Sequence, residues 1–122
     1  MKVTLYGSSY YLSSGAAITS DKRLKTNIET VDNRYLNLIK NLEPKRFKLK
    51  NNPEQKYHTG FIAQDVQDLL KKYNINEEEF AAFARPKEDD SEYALSYTEF
   101  IPLLLLYIKD LEKQIKEIKE QD

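Results

Sequence analysis

The stretch Ser20–Ile28, with the sequence SDKRLKTNI, separates two parts of the chain that differ in composition. Before it lies a leader rich in Tyr and Ser, and after it comes a charged sequence with periodic apolar residues. Ser20 carries a hydroxyl, and Lys25, five residues further on, carries an amine. A serine hydroxyl becomes an effective nucleophile when a neighbouring base takes its proton, and a neutral lysine amine is such a base. The stretch therefore contains a candidate nucleophile and a candidate base.

The same stretch also has a simpler interpretation. Ser and Asp are favoured at helix N-termini, so Ser20 or Asp21 would cap a short helix whose basic side chains lie in solvent. Five residues correspond to about 140° of rotation on a straight helix, so Ser20 and Lys25 cannot share one helical face. If they act together, we expect Ser20 to lie just before the helix, or Lys25 to reach it from a neighbouring subunit. Positive charge on Lys22 and Arg23 would favour a neutral Lys25.

Two further blocks follow in order, HTGFIAQDVQ over His58–Gln67 and YTEFIPLLLLYIKDLEKQI over Tyr97–Ile115. Together the three blocks resemble the C-terminal intramolecular chaperone domain of bacteriophage tailspikes and tail fibres, of the endosialidase type. The resemblance covers the chain from Ser20 to the C-terminus. One position departs from the family pattern, which usually has Glu after Ile-Ala-Gln, where this chain has Asp65.

The resemblance implies a domain that trimerises, assists the folding of the fibre before it and then cuts its own chain. The cut would fall between Thr19 and Ser20, with Ser20 as nucleophile and Lys25 as its base. His58 is a further candidate catalytic residue, as a hydrogen-bond partner or proton relay of Ser20. An ordinary half-buried histidine on a strand is the alternative interpretation of His58.

Domain boundaries and partners also follow from the resemblance. Residues 1–19 would be the end of the preceding fibre segment, on the released side of the cut. Residues 20–122 would form the chaperone domain, with residues 98–120 as its oligomerisation helix. The expected partners are two further copies, in a homotrimer, and the preceding segment of the same chain. Such a protein would act in the host cytoplasm during virion assembly, and the mature fibre would stay on the virion after the chaperone domain is released.

Two other functions remain open from the sequence. The first is a fibre foot that trimerises and never cuts. The second is the similar module of a membrane-tethered transcription factor of the myelin-regulatory type. This sequence has no basic stretch and no apolar run of membrane-spanning length, which favours the phage setting.

The composition restricts the function further. With 122 residues, of which 32% are charged, the chain makes one small domain plus an appendage, whose limited core would benefit from burial in an oligomer. It has no Cys and a single His, so neither a disulfide framework nor a metal site is expected. The net charge of −1 comes from interspersed charges of both signs and predicts no binding of nucleic acid. No membrane partner and no cofactor is expected, and there is no Gly-rich phosphate loop.

The periodicity predicts an α+β fold, in which a small helical domain with a short hairpin and strands precedes a long C-terminal helix. The weak alternation of residues 2–19 suits an extended fibre end. The predicted elements after it are a helix capped by Asp32 and ended before Pro44, a hairpin of strands 45–50 and 56–61, a helix over 63–73, a helix capped by Asn76 that contains Phe80 and Phe83, a polar loop over 87–92 and a strand over 93–97.

The C-terminal helix, capped by Thr98 and with Pro102 in its first turns, carries a heptad pattern. Its apolar residues recur at alternating spacings of 3 and 4, at Ile101, Leu104, Ile108, Leu111, Ile115 and Ile118. This row, called the seam below, predicts a coiled coil. Ile at the first core position and mostly Leu at the second is typical of dimers, with Ile118 the exception that favours three chains. The expected trimeric coiled coil therefore comes from the resemblance. The alternative is a helix that packs this face against its own domain.

Overall fold

The computed structural model describes residues 19–88 and 92–121. Two compact units divide the chain, Met1–Thr30 and Val31–Asp122, and each is described by itself. The fibre end expected over residues 2–18 lies outside the described residues, as does the middle of the predicted polar loop at 89–91. Within the described part of the first unit, the chain forms a 3-10 turn over Lys22–Leu24.

The second unit is α+β, as predicted. Three helices and two small antiparallel hairpins follow one another along the chain. The helices are α1 (Asn33–Asn41), α2 (Ala63–Lys72) and α3 (Ile101–Glu120). The strands are β1 (Lys45–Phe47) paired with β2 (His58–Gly60), and β3 (Phe83–Ala84) paired with β4 (Ala94–Leu95).

Helix α1 begins and ends as its sequence predicts. The Asp32 carboxylate accepts a hydrogen bond of 3.0 Å from the Arg34 N–H, which caps the first turn. Its apolar residues Leu36, Leu38 and Ile39 are buried, and α1 packs against both α2 and α3. The domain core therefore forms where these three helices meet, and it contains the buried apolar residues Leu36, Leu38, Ile39, Leu42, Val66, Leu70, Ile75, Phe80, Ala82, Phe83, Phe100 and Leu103.

The predicted hairpin and second helix are also present. Strands β1 and β2 are shorter than the expected 45–50 and 56–61, and they pair Phe47 with His58. Helix α2 buries Val66 and Leu70, while Leu69 is only partly buried against the core. The ladder of paired residues in the hairpin ends at Phe47 and His58, and residues 48–57 connect the two strands.

The predicted helix containing Phe80 and Phe83 is wrong. Asn76 does cap, accepting a hydrogen bond of 3.0 Å from the Glu78 N–H, but the element is a single 3-10 turn over Glu77–Glu79. Phe83 lies instead in β3, where it pairs with Leu95. Phe80 and Phe83 are both buried. Phe80 enters the core just after the 3-10 turn, and Phe83 enters it from a strand, so their spacing of three does not come from a helix. The long-range pairing with β4 outweighs local helical preference.

Helix α3 starts later than predicted. Tyr97–Phe100 forms a 3-10 turn, so Thr98 does not cap α3; Phe100 holds the N-cap position and makes no side-chain capping bond. Pro102 lies in the first turn, as expected. One face of α3 packs on the domain through buried Leu103, with Leu106 and Tyr107 partly buried. No helix of the described residues is long and apolar enough to cross a membrane.

Candidate functional site

The 3-10 turn over Lys22–Leu24 reverses the chain between Ser20 and Lys25. Two backbone hydrogen bonds close it: the Leu24 N–H donates to the Asp21 carbonyl at 3.0 Å, and the Lys25 N–H donates to the Lys22 carbonyl at 3.1 Å. Ser20 precedes the turn and Lys25 follows it in extended conformation. Both residues therefore lie outside the helical geometry that would hold their side chains apart.

The Lys25 Nζ lies 2.7 Å from the Ser20 Oγ. A protonated lysine donates this hydrogen bond to the hydroxyl. When the amine is neutral, the direction of the hydrogen bond reverses, because the hydroxyl then donates to the nitrogen lone pair. The distance falls within the reach expected of a nucleophile and its base. The pair forms within one chain, and both side chains are exposed.

Asp21 and Arg23 support the same turn. One oxygen of the Asp21 carboxylate accepts a hydrogen bond of 2.8 Å from the Arg23 N–H, so Asp21 is the cap that the simpler interpretation proposed. Arg23 also places its guanidinium against both carboxylate oxygens. This hydrogen bond from Arg23 lowers the pKa of Asp21 below its usual value. The charge of Arg23 is therefore balanced by Asp21, and Arg23 is not the free positive neighbour of Lys25 that the sequence suggested.

His58 belongs to the second unit, on β2, whereas Ser20 and Lys25 belong to the first. Its ring stacks on Phe47, with centroids 6.3 Å apart. Within the described part of the chain, the His58 Nε2 is buried and has no hydrogen-bond partner. An unpaired buried polar atom costs about 1–3 kcal/mol, so it calls for a functional or structural explanation.

A contact between the second and third sequence blocks was missed by sequence reasoning. The Tyr97 hydroxyl accepts a hydrogen bond of 3.0 Å from the Phe61 N–H and donates one of 3.2 Å to the Phe61 carbonyl. The phenol ring fills the space beside Gly60 where any side chain would begin. The presence of Gly60 and Tyr97 in two of the quoted blocks was the only signal, and it does not reveal that they meet.

The seam on α3 is bare, in the sense that its side chains are largely exposed to solvent. Its six residues are between 43% and 63% exposed, although each is a large apolar side chain. Helix α3 does pack on its own domain, as the alternative expected, but through the face bearing Leu103 and not through the seam. An open groove of about 280 Å³ runs along Ile108, Leu111, Glu112 and Ile115. A row of exposed apolar residues of this length indicates an interaction surface.

Comparison with known families identifies the class of domain. Residues 20–77 match the model of a peptidase family described as the chaperone of endosialidase. The matched segment begins at Ser20 and includes the first two sequence blocks. The chain therefore resembles the chaperone-of-endosialidase family over residues 20–77, and the resemblance seen in the sequence is confirmed.

Two individual proteins resemble the chain. A capsule K3-specific depolymerase, Depolymerase 1 of Klebsiella phage KP32, is 30% identical over 71 residues, which cover 54% of this chain and 8% of the depolymerase. The chain thus spans a small part of that curated relative. A crystal structure described as a novel intramolecular chaperone superposes with a TM-score of 0.64 at 20% identity, covering 78% of this chain and 99% of that one. This second likeness establishes the shared α+β fold.

Proposed function

We propose that this chain is a self-cleaving intramolecular chaperone that trimerises, assists the folding of a phage tailspike or fibre, and is then released. The observation that carries the proposal is the 2.7 Å contact between Lys25 Nζ and Ser20 Oγ, at the start of a segment that matches the chaperone-of-endosialidase family. The phage depolymerase among the relatives supports the phage setting over a membrane-tethered transcription factor.

The proposed reaction is an acyl transfer within the chain. The Ser20 Oγ attacks the carbonyl carbon of Thr19 while the neutral Lys25 Nζ accepts the hydroxyl proton. The C–N bond between the two residues breaks, its nitrogen takes up a proton and becomes the Ser20 amine, and the Thr19 acyl group is held as an ester on Ser20. Water then hydrolyses that ester, which frees residues 1–19 from residues 20–122. Each chain reacts once, so the protein is an autoprotease without turnover.

Exposure of Ser20 and Lys25 bears on when this reaction occurs. A lysine amine accepts a proton only in its neutral form, and contact with water favours the charged form. Leu24, next to Lys25, is 73% exposed, and Ile28 is 63% exposed. Covering these apolar side chains in the assembled protein would remove water from around Lys25 and favour its neutral form. His58, with its unpartnered buried Nε2, is proposed to bond to a group of the assembled site.

The bare seam supports the trimeric part of the proposal. Three copies of α3 would bury Ile101 to Ile118 against one another in a coiled coil. The trimer would hold the preceding fibre segments at high effective concentration and in register. Such segments, rich in non-local contacts, fold slowly and misassemble easily. Cleavage would then remove the clamp and leave the fibre kinetically stable, with folding in the host cytoplasm and the mature fibre on the virion.

A fibre foot that trimerises without cutting is the second candidate, because the bare seam favours it equally. The test uses a longer chain with its natural preceding segment, expressed and examined by intact mass. We expect a fragment that begins at Ser20, and no fragment from Ser20→Ala. Ser96→Ala, which removes a serine hydroxyl after β4, is the matched control and should cut normally. An intact parent chain in a trimer would favour the foot.

A further inference from the structure

We propose that Asp21 is a positioning residue for the Ser20–Lys25 pair, and that Arg23 holds the Asp21 carboxylate in the orientation this requires. The inference rests on the proposed cleavage and adds to it two residues that touch neither reacting atom. Their effect would pass through the turn that brings Lys25 back to Ser20.

A capping hydrogen bond holds the start of the turn. The Asp21 carboxylate accepts the Arg23 N–H at 2.8 Å, which satisfies a donor that the short turn leaves unpaired. A turn of three residues over Lys22–Leu24 lacks the cooperative hydrogen bonding of a long helix. The cap is therefore one of three hydrogen bonds that hold the turn closed.

The turn determines where Lys25 begins. Its backbone N–H is bound to the Lys22 carbonyl at 3.1 Å, so its side chain starts from a fixed point and extends back to the Ser20 hydroxyl. If the turn opens, that starting point is lost, and the flexible lysine side chain samples solvent. Reactions between groups on one chain depend on the fraction of time that the reacting atoms spend in contact.

Arg23 fixes the carboxylate itself. Its Nη2 donates to one oxygen at 2.8 Å, while its Nε donates to both oxygens, at 3.1 and 3.2 Å. This forked contact restricts rotation of the Asp21 carboxylate and leaves one oxygen pointing at the Arg23 N–H. The pair is exposed, so its contribution is orientation more than stability. Both oxygens are occupied by N–H donors, which also makes Asp21 a poor candidate for accepting the serine proton.

The test compares first-order cleavage rates of the longer chain, measured on the trimeric fraction, for Asp21→Ala, Asp21→Asn and Arg23→Gln. Loss of a cap corresponds to a population change of between about twofold and thirtyfold, so we expect Asp21→Ala to cut about tenfold more slowly. Asn caps helices as well as Asp, so Asp21→Asn should stay within about threefold of the parent. Arg23→Gln keeps the cap and loses only the forked contact, so its rate should lie between those of the parent and Asp21→Ala.

Two further readouts separate positioning from other roles. The final extent of cleavage and the oligomeric state should match the parent in all three variants, because the reacting groups are unchanged. A parental rate in Asp21→Ala would overturn the inference. So would an Asp21→Asn chain as slow as Asp21→Ala, since the carboxylate and not the cap would then be required. A parent chain that never cuts would overturn the proposed function as well, whereas a cutting parent with a fully active Asp21→Ala overturns this inference alone.

Discussion

The hydroxyl of Tyr97 is bound to both backbone polar groups of Phe61, accepting from its N–H and donating to its carbonyl. The two residues lie 36 positions apart in the sequence and join the entry to α2 with the entry to α3. Their rings also meet edge to face, with centroids 5.7 Å apart. This contact requires that residue 60 have no side chain, because a Cβ there would overlap the phenol.

The first prediction follows from this close approach. Gly60→Ala should destabilise the domain by about 1–3 kcal/mol through overpacking against the phenol oxygen. Tyr97→Phe should cost about 1–2 kcal/mol, since two hydrogen bonds to Phe61 are lost. Chemical denaturation measures both. In the double variant the overlapping oxygen is gone, so the combined cost should be smaller than the sum of the single costs. Strictly additive costs would mean that residue 60 and the Tyr97 hydroxyl do not meet.

Much of the fold could be predicted because the information is local. Asp32 before an apolar periodic stretch locates α1, and apolar residues at spacings of three and four locate α2 and α3. The region around Phe80 and Phe83 could not be predicted, because Phe83 is held in β3 by a partner, Leu95, that is distant in sequence. Short apolar segments fit a strand and a helix equally well until their partner is known.

The candidate site shows the same division between local and distant information. Ser20 and Lys25 are evident as residue types, and their spacing excludes a shared helical face. It does not reveal that a single 3-10 turn, capped by Asp21, returns Lys25 to Ser20. The pairing of Arg23 with Asp21 was also missed, because residues two apart rarely face each other on an α-helix. The Tyr97 contact with Phe61 depends entirely on the tertiary fold.

The second prediction concerns the bare seam. Leu111→Lys with Ile115→Lys places two charges on the seam, where burial of unpaired charge in a coiled coil is unfavourable. We expect monomers at concentrations where the parent is trimeric, measured by analytical ultracentrifugation. Glu117→Lys with Glu120→Lys introduces the same two side chains off the seam and should stay trimeric. If the seam variant also remains trimeric, the assembly surface lies elsewhere.

The third prediction concerns His58. His58→Ala should slow cleavage in a soluble oligomer, because it removes the buried Nε2 that has no partner among the described residues. Gel analysis of the cleavage time course measures this effect. Phe47→Leu is the matched control, since it removes the stacked ring and keeps the imidazole. Equal slowing in both variants, or normal cleavage in His58→Ala, would assign His58 a purely structural role.

The fourth prediction concerns the attachment of α3 to α1. The Lys40 ammonium lies 3.1 Å from the Asp110 carboxylate, and this contact, followed by a hydrogen bond from Gln114, lowers the pKa of Asp110 below 3.8. A lowered folded-state pKa contributes stability above the unfolded-state value, and that stability is lost as the pH falls through the folded-state value. Asp110→Asn should therefore melt slightly lower than the parent at pH 7, and the difference should shrink as the pH falls into the acid range. Glu120→Gln, near the end of α3, is the control, and a difference that persists in acid would contradict the assignment.

The last prediction separates a lysine that accepts a proton from one that only donates a hydrogen bond. Lys25→Arg keeps a positive charge and N–H donors within reach of the Ser20 hydroxyl, but a guanidinium is not deprotonated in proteins and cannot act as a base. We therefore expect Lys25→Arg and Lys25→Ala to form trimers whose Thr19–Ser20 bond stays intact, as measured by intact mass over days. Lys22→Arg changes a neighbouring lysine in the same way and should cut at the parental rate. Ser20→Cys should retain part of the activity, because a thiol is intrinsically the better nucleophile. A Lys25→Arg chain that cuts at the parental rate would remove Lys25 from the proton transfer and leave the 2.7 Å contact as a structural hydrogen bond.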